Sequence, residues 1–236
     1  MSPMIVGHRG ISGCYPENSR VSIQAAIDMG LQWVEVDIQP SKDNVLVVCH
    51  DHTVDRCSNG QGRVDSLSLQ QLKALDFGAW FDLDFQGEAI MTLEELLSLA
   101  TQTGLCLNIE VKVDAQHDVS AIVHQLKQQL DESNIANEQL LLSSFSHEVM
   151  RNLANHCQDY RLGVITDRLT SKDKRLLDEI NAFSCHLNFR WMSKAQSIKL
   201  QQAGYQVWSY TVNNPRKLKH FNHLDAIFSD FPQRFI

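Results

Sequence analysis

Residues 33–38 read Trp33-Val34-Glu35-Val36-Asp37-Ile38. The run is short, apolar and rich in β-branched residues, as a strand is. Glu35 and Asp37 interrupt it at i, i+2, so both carboxylates leave the same face. The runs on either side are built alike: Met4-Ile5-Val6-Gly7-His8 ahead of it, and 105–111 behind it, where Glu110 and Lys112 again stand at i, i+2. Continuing outward, 139–144, 161–165, 183–188, 206–212 and 225–229 complete eight strand candidates. A further run, 45–49, reads as a hairpin arm extending the second strand through the turn-forming Lys42-Asp43-Asn44.

Helix-period stretches fall between these strands. In 18–29, Asn18 is the expected N-cap and Gly30 the closing glycine. Thr92-Leu93-Glu94-Glu95 opens 93–103 as a capping box, and Gly104 closes it. Further helices are expected over 118–132, 147–156, 171–180, 193–203 and 214–222. Strand–helix alternation without a linker-like break predicts an α/β chain folded as a (β/α)8 TIM barrel, one catalytic domain over 1–236. An open doubly wound sheet is disfavoured because no GxGxxG follows the first strand. Residues 51–91, rich in Asp and Gly with Phe77, Trp80 and Phe81 close together, break the alternation and read as a small insertion after the second strand. Those aromatics make either an apolar rim for the site or the insertion's own core.

The 28 acidic and 21 basic residues give a formal net charge of -7, which argues against nucleic-acid binding. A local cation or metal can still draw in an anionic substrate. No stretch approaches the ~20 apolar residues of a membrane span, and no signal-peptide pattern is visible at Met1-Ser2-Pro3. The six cysteines form no CxxC pair and read as reduced thiols. These features lead to the expectation of a cytoplasmic protein with no stable membrane association.

In a parallel barrel the site gathers at the C-terminal strand ends. His8-Arg9-Gly10 follows the first strand, Glu35 and Asp37 lie on the second, His50-Asp51 ends the hairpin arm, and Glu110 with Lys112 lies on the third. Taken singly, these could be an edge-strand face, a surface pair or a structural ion pair. Taken together, they put three carboxylates at neighbouring strand ends. Inward-facing acids are costly to bury unless paired or bound to a cation, and the three make an oxygen cage suited to Mg²⁺ or Ca²⁺. Zinc-type Cys/His spacing is absent. His8 and His50 suit proton transfer, their unperturbed pKa being ~6.5. Arg9 and Lys112 can meet phosphate oxygens. His186 and Trp208 are candidates for the site's floor, with barrel core as the ordinary alternative for Trp208. The remaining histidines, His220 among them, read as solvated.

These residues in this order, with Pro16-Glu17-Asn18, Asn108-Ile109-Glu110, Asp51 to Arg56, Asn59-Gly60-Gln61-Gly62, Ser144-Phe145, Trp208 to Asn213 and Asp225 to Pro232, resemble the glycerophosphodiester phosphodiesterase family nearly end to end. The resemblance is to its bacterial cytoplasmic members. Departures from the family pattern are Ser19, Arg20, the Ser209-Tyr210 pair inside the WTVN-like segment, Ala226 and Ser229. The resemblance implies metal-dependent hydrolysis of small glycerophosphodiesters to sn-glycerol 3-phosphate and an alcohol. It implies Glu35, Asp37 and Glu110 as ligands of one divalent ion (Mg²⁺ or Ca²⁺, with Mn²⁺ as a substitute), and Glu17 near the metal or substrate. It implies His8 and His50 as the acid/base pair, and attack either by the substrate's own 2-hydroxyl or by water. A homodimer is compatible with all of this. Three rivals are phospholipid cleavage by a related barrel, a silent barrel that only binds a phosphorylated ligand, and a metal-dependent sugar isomerase on the same architecture, which would need a different ligand set. The negative charge disfavours the first, and the intact set of acids and histidines disfavours the second.

Overall fold

A computed structural model describes residues 2–217 and 222–236. The strands are β1 (Met4–His8), β2 (Trp33–Pro40), β3 (Leu46–Val48), β4 (Cys106–Val111), β5 (Leu140–Ser144), β6 (Arg161–Thr166), β7 (Ser184–Asn188), β8 (Gln206–Tyr210) and β9 (Ala226–Ser229). All but β3 pair in parallel, in the order β1-β2-β4-β5-β6-β7-β8-β9. β1 pairs with both β2 and β9, so the sheet closes into the expected eight-stranded barrel. β3 runs antiparallel to β2, with Ile38 opposite Val48, as expected of a hairpin arm.

The period-2 alternation of each strand divides its residues between two cores. Val34, Val36, Ile38, Leu107, Ile109, Leu140, Leu142, Val164 and Val207 face outward and are buried under the helices. Val6, Trp33, Leu141, Trp208, Ala226 and Phe228 face inward and fill the barrel. The inward positions beyond them, at the C-terminal strand ends, carry the polar residues of the site. Burying an outward valine or leucine contributes about 1.5–3 kcal/mol, so a one-residue slip in register would exchange that burial for buried charge.

The helices are α1 (Arg20–Asp28), α2 (Leu69–Lys73), α3 (Leu93–Thr103), α4 (Val119–Glu132), α5 (His147–His156), α6 (Ser171–Glu179) and α7 (Lys194–Gln202). The capping box on α3 is present, with Gly104 left-handed at φ 74. The cap of α1 differs from expectation: Ser19, not Asn18, accepts the Ser22 N–H. Asn18 sits at φ 56, a conformation asparagine tolerates, and its amide is engaged by Asp37 instead. Of the stretch 214–222, Pro215–Lys217 forms a 3-10 turn, while residues 218–221, His220 included, lie outside the described residues.

Residues 51–91 hold α2 and two 3-10 turns. Val47, Cys49, Val54, Cys57, Val64, Leu72, Phe77 and Ile90 form a small core there, against which Trp80 packs. The alternative of an apolar rim is therefore not what Phe77 supplies. Trp80 gives its indole N–H to the Phe77 carbonyl at 2.8 Å, and Phe81 packs on Phe85 at 5.9 Å. Among the described residues no helix is long and apolar enough to cross a membrane.

The turn after β1 is locked to α1. The Ser22 hydroxyl accepts the Ile11 N–H at 2.7 Å and donates to the Arg9 carbonyl at 3.0 Å. Gly10 stands at φ +82, and a Cβ there would meet Ser22 Oγ at 2.3 Å. Gly10→Ala is expected to destabilise the fold by about 1–3 kcal/mol from backbone strain alone, with the clash adding to it. Urea unfolding would show this as a lower midpoint at unchanged slope.

Candidate active site

The C-terminal end of the barrel opens into a cleft of about 170 Å³. His8, Arg9, Glu35, His50, Asn108, Glu110 and Lys112 line it, with Phe145 and Tyr210 at 5.9 Å from each other on one side. These come from β1, β2, β4 and the segment after β3, so the residues singled out in the sequence converge as the strand register requires. Glu35 lies beside His8 and Asn108, and Asp37 beside Glu110.

Glu35, Asp37 and Glu110 are buried and place ligand oxygens within 4.8 Å of one another. Two carboxylates at that spacing repel by about 3–4 kcal/mol at an effective dielectric of 20. Burial, then the charges of Asp37 and Glu110, push Glu35 well above the ordinary carboxyl range. Burial and Asp37 raise Glu110 to about 7. Asp37 goes the other way: burial works against its charge, but Arg9, Lys112 and His50 outweigh burial and hold it low. Glu35 Oε1 and Asp37 Oδ1 are buried without a hydrogen-bond partner. Such oxygens are seldom left unpaired. The donor set is oxygen only, so it fits a hard divalent cation.

Two cations flank the acids. Arg9 gives its backbone N–H to Glu35 at 3.0 Å and its Nη1 to Glu17 at 2.8 Å, while its Nε lies 3.3 Å from Asp37. Burial disfavours its charge, but Asp37, Glu17 and Glu35 keep it firmly protonated. Lys112 Nζ donates to Glu110 at 2.7 Å and lies 3.6 Å from Asp37.

His8 and His50 each have their own aspartate. His8 Nδ1 meets Asp230 Oδ1 at 2.5 Å, and His50 Nδ1 meets Asp51 Oδ1 at 2.7 Å. A carboxylate on Nδ1 keeps the neutral ring's proton on that nitrogen and leaves the Nε2 lone pair free. His8 Nε2 lies 3.8 Å from Glu35. Both aspartates stay ionised. Against the cost of its burial, the bond from His8 holds Asp230 at about 2. Bonds from Arg56 and His50 hold Asp51 below the usual range. Burial and the nearby Arg9 and Lys112 charges lower His50 itself, outweighing Asp37 and Asp51.

Two sequence candidates are engaged by other protein groups. Glu17 uses both carboxylate oxygens on guanidinium groups, bonding Arg9 and Arg56 at 2.8 Å. It stands behind Arg9 and not with the carboxylate cluster. Trp208 is 1% exposed and gives its indole N–H to Gln206. It stacks on His186 at 5.1 Å and 7°, so it is barrel core, and His186 lines the cleft in its place. Burial lowers His186 to about 3, which keeps it neutral. Three residues received no role from sequence, Asp230, Asp51 and Arg56, and Asn18 was expected only as a helix cap. Asp230 carried a readable signal, because it stands at i+2 from the inward Phe228 at a C-terminal strand end.

Residues 8–234 match the model of the glycerophosphoryl diester phosphodiesterase family. A glycerophosphodiester phosphodiesterase of Caldanaerobacter subterraneus subsp. tengcongensis is 29% identical over 238 residues, covering 100% of this chain and 97% of the relative. One from Bacillus altitudinis is 30% identical, over 98% of this chain and 96% of the relative. Among solved structures, an Oleispira antarctica phosphodiesterase in complex with the product sn-glycerol-3-phosphate superposes with a TM-score of 0.92. It is 28% identical, over 99% of this chain and 95% of that one.

Proposed function

This chain belongs to the glycerophosphoryl diester phosphodiesterase family and is a phosphoric diester hydrolase, and we propose that it hydrolyses small glycerophosphodiesters to sn-glycerol 3-phosphate and an alcohol, with a divalent cation and two histidines. The observation that carries this reading is the pair of histidines, each with Nδ1 on an aspartate, facing one cleft with a three-carboxylate cluster. The Oleispira antarctica relative's product complex supports the choice of product. We read 1–236 as one catalytic barrel carrying 51–91 as a subdomain. We place it in the cytoplasm, a reading supported by six free thiols.

Glu35, Asp37 and Glu110 would hold the cation, Mg²⁺ or Ca²⁺ by their oxygen-only chemistry. When bound, it would offset phosphoryl charge and lower the pKa of a hydroxyl in contact with it. Arg9 and Lys112 bind the non-bridging phosphoryl oxygens, Arg9 held rigid from behind by Glu17. One histidine, neutral at Nε2, takes the proton of the attacking hydroxyl as the new O–P bond forms. The other, protonated, gives its proton to the leaving alkoxide as the old P–O bond breaks. If the substrate's glycerol 2-hydroxyl is the nucleophile, the first product is a cyclic phosphate that water then opens, with the histidines exchanging roles. A 2-deoxy substrate would then resist cleavage, whereas direct attack by water would leave it a substrate.

The test is release of sn-glycerol 3-phosphate from glycerophosphodiesters of several headgroups in Mg²⁺, Ca²⁺ or Mn²⁺. No turnover with any of them refutes the reading. Asp230→Asn should lower kcat on the order of 10-fold or more, because an amide on Nδ1 no longer enforces the tautomer with a free Nε2. The pH–rate profile should shift with it, and an unchanged profile would mean that Asp230 does not act through His8.

A further inference from the structure

A second group of ligating side chains lies outside the cleft. His52, Asp114 and His117 each present a ligand atom within 4.8 Å of the other two. His52 comes from the segment that carries His50, and Asp114 and His117 come from the turn between β4 and α4. The tautomer of His52 is set by Gln39. That amide's Nε2 donates to the carbonyls of Cys49 at 2.9 Å and Asp51 at 2.7 Å, so its Oε1 must be the atom facing His52 Nδ1 at 3.1 Å. Neutral His52 therefore carries its proton on Nδ1 and leaves the Nε2 lone pair bare. Burial, with the nearby charges of His117, Arg63 and Lys112 outweighing Asp114, lowers His52 below the ordinary imidazole range and favours that neutral form.

The His117 side chain is 4% exposed, and its Nε2 is buried with no hydrogen-bond partner. Asp65 Oδ2 is 3.2 Å away but off the N–H direction, so it does not satisfy that atom. Arg63 bonds Asp65 and lies 2.9 Å from Asp114 Oδ2, fixing both carboxylates in place. Asp65 and His117 also line a cleft of about 540 Å³ beside α4.

We propose that His52, Asp114 and His117 form a second cation site, distinct from the carboxylate cluster and selective for a zinc-class ion. Two imidazoles and one carboxylate suit Zn²⁺ or Co²⁺ better than Mg²⁺. His117 Nδ1 accepts the Asp114 N–H at 3.1 Å, so the neutral ring carries its proton on Nε2, and Nδ1, 3.5 Å from Asp114 Oδ1, is the nitrogen whose lone pair would turn to the ion. A bound ion ties the start of the 51–91 segment to the β4–α4 turn. Through Gln39 it also steadies the backbone on both sides of His50.

The full chain, saturated with Mg²⁺ to occupy the oxygen site, is titrated with Co²⁺ and with Zn²⁺. Wild type should retain one more equivalent of either ion than His52→Ala or His117→Ala after gel filtration. It should also show visible Co²⁺ bands of nitrogen ligation, and a rise in melting temperature with Zn²⁺, that both variants lack. Because His117 is buried, its removal could unfold the protein, and the partly exposed His52 keeps the test decisive. His52→Ala should keep its Mg²⁺-supported activity within about twofold of wild type. Equal ion content in wild type and His52→Ala, or Co²⁺ bands unchanged by that substitution, overturns the proposal.

Discussion

His8→Ala and His50→Ala should each lower kcat by about 10²- to 10⁴-fold, the range typical for loss of a positioned acid or base. The fold should survive both changes. Neither ring belongs to the buried apolar core, and their bonding partners are Asp230 and Asp51, which remain bonded to Asn213 and Arg56 respectively. The loss should fall on kcat with KM nearly unchanged, because neither histidine is assigned to hold the substrate. The double variant should lose less than the product of the single losses, since the two act on one proton path. Circular dichroism and urea unfolding separate this from misfolding. A rate within threefold of wild type in either variant would remove that histidine from the mechanism.

Chelation should abolish turnover, and readdition of Mg²⁺ or Ca²⁺ should restore it. The burial and mutual repulsion that raise Glu35 and Glu110 also set the pH dependence. Without a cation, Glu110 takes up a proton below about 7, so the cation must displace that proton to bind. Affinity should weaken by about tenfold per pH unit below that point if one proton is displaced, and more steeply if Glu35 is protonated as well. The sign for stability follows from linkage. A carboxyl raised in the folded state favours folding below its unfolded-state pKa, and that contribution is lost as pH rises through about 7. The cation-free enzyme should therefore become less stable from pH 5 to 8, and the gain in melting temperature on adding the cation should be larger at pH 8 than at pH 6. A cation affinity flat across that range would show that these carboxyls are ionised without it.

The barrel was legible because its strands bury both faces, and residues such as Val34, Val36, Leu107 and Ile109 repeat on the outward side. The carboxylate cluster was legible for the same reason, since an acid at i, i+2 inside such a run has to face inward. Pairings between distant side chains were not. Asp230 lies 222 residues from His8, and nothing local to either marks the other. Asn18 looked like a helix cap because its type suits one. Only the fold shows that its amide reaches Asp37, leaving the cap to Ser19. Trp208 could be placed on a strand but not at a depth, and at a mid-strand inward position it lies below the cleft floor.

The bond between His8 and Asp230 crosses the seam where β9 meets β1. One proton-transfer group is thus supplied by the first strand and oriented by the residue just beyond the last. A nascent or clipped chain that stops before residue 230 lacks the carboxylate that sets the tautomer of His8. Onset of full activity should therefore report closure of the ring itself, and hydrolysis can serve as a built-in assay for completed folding.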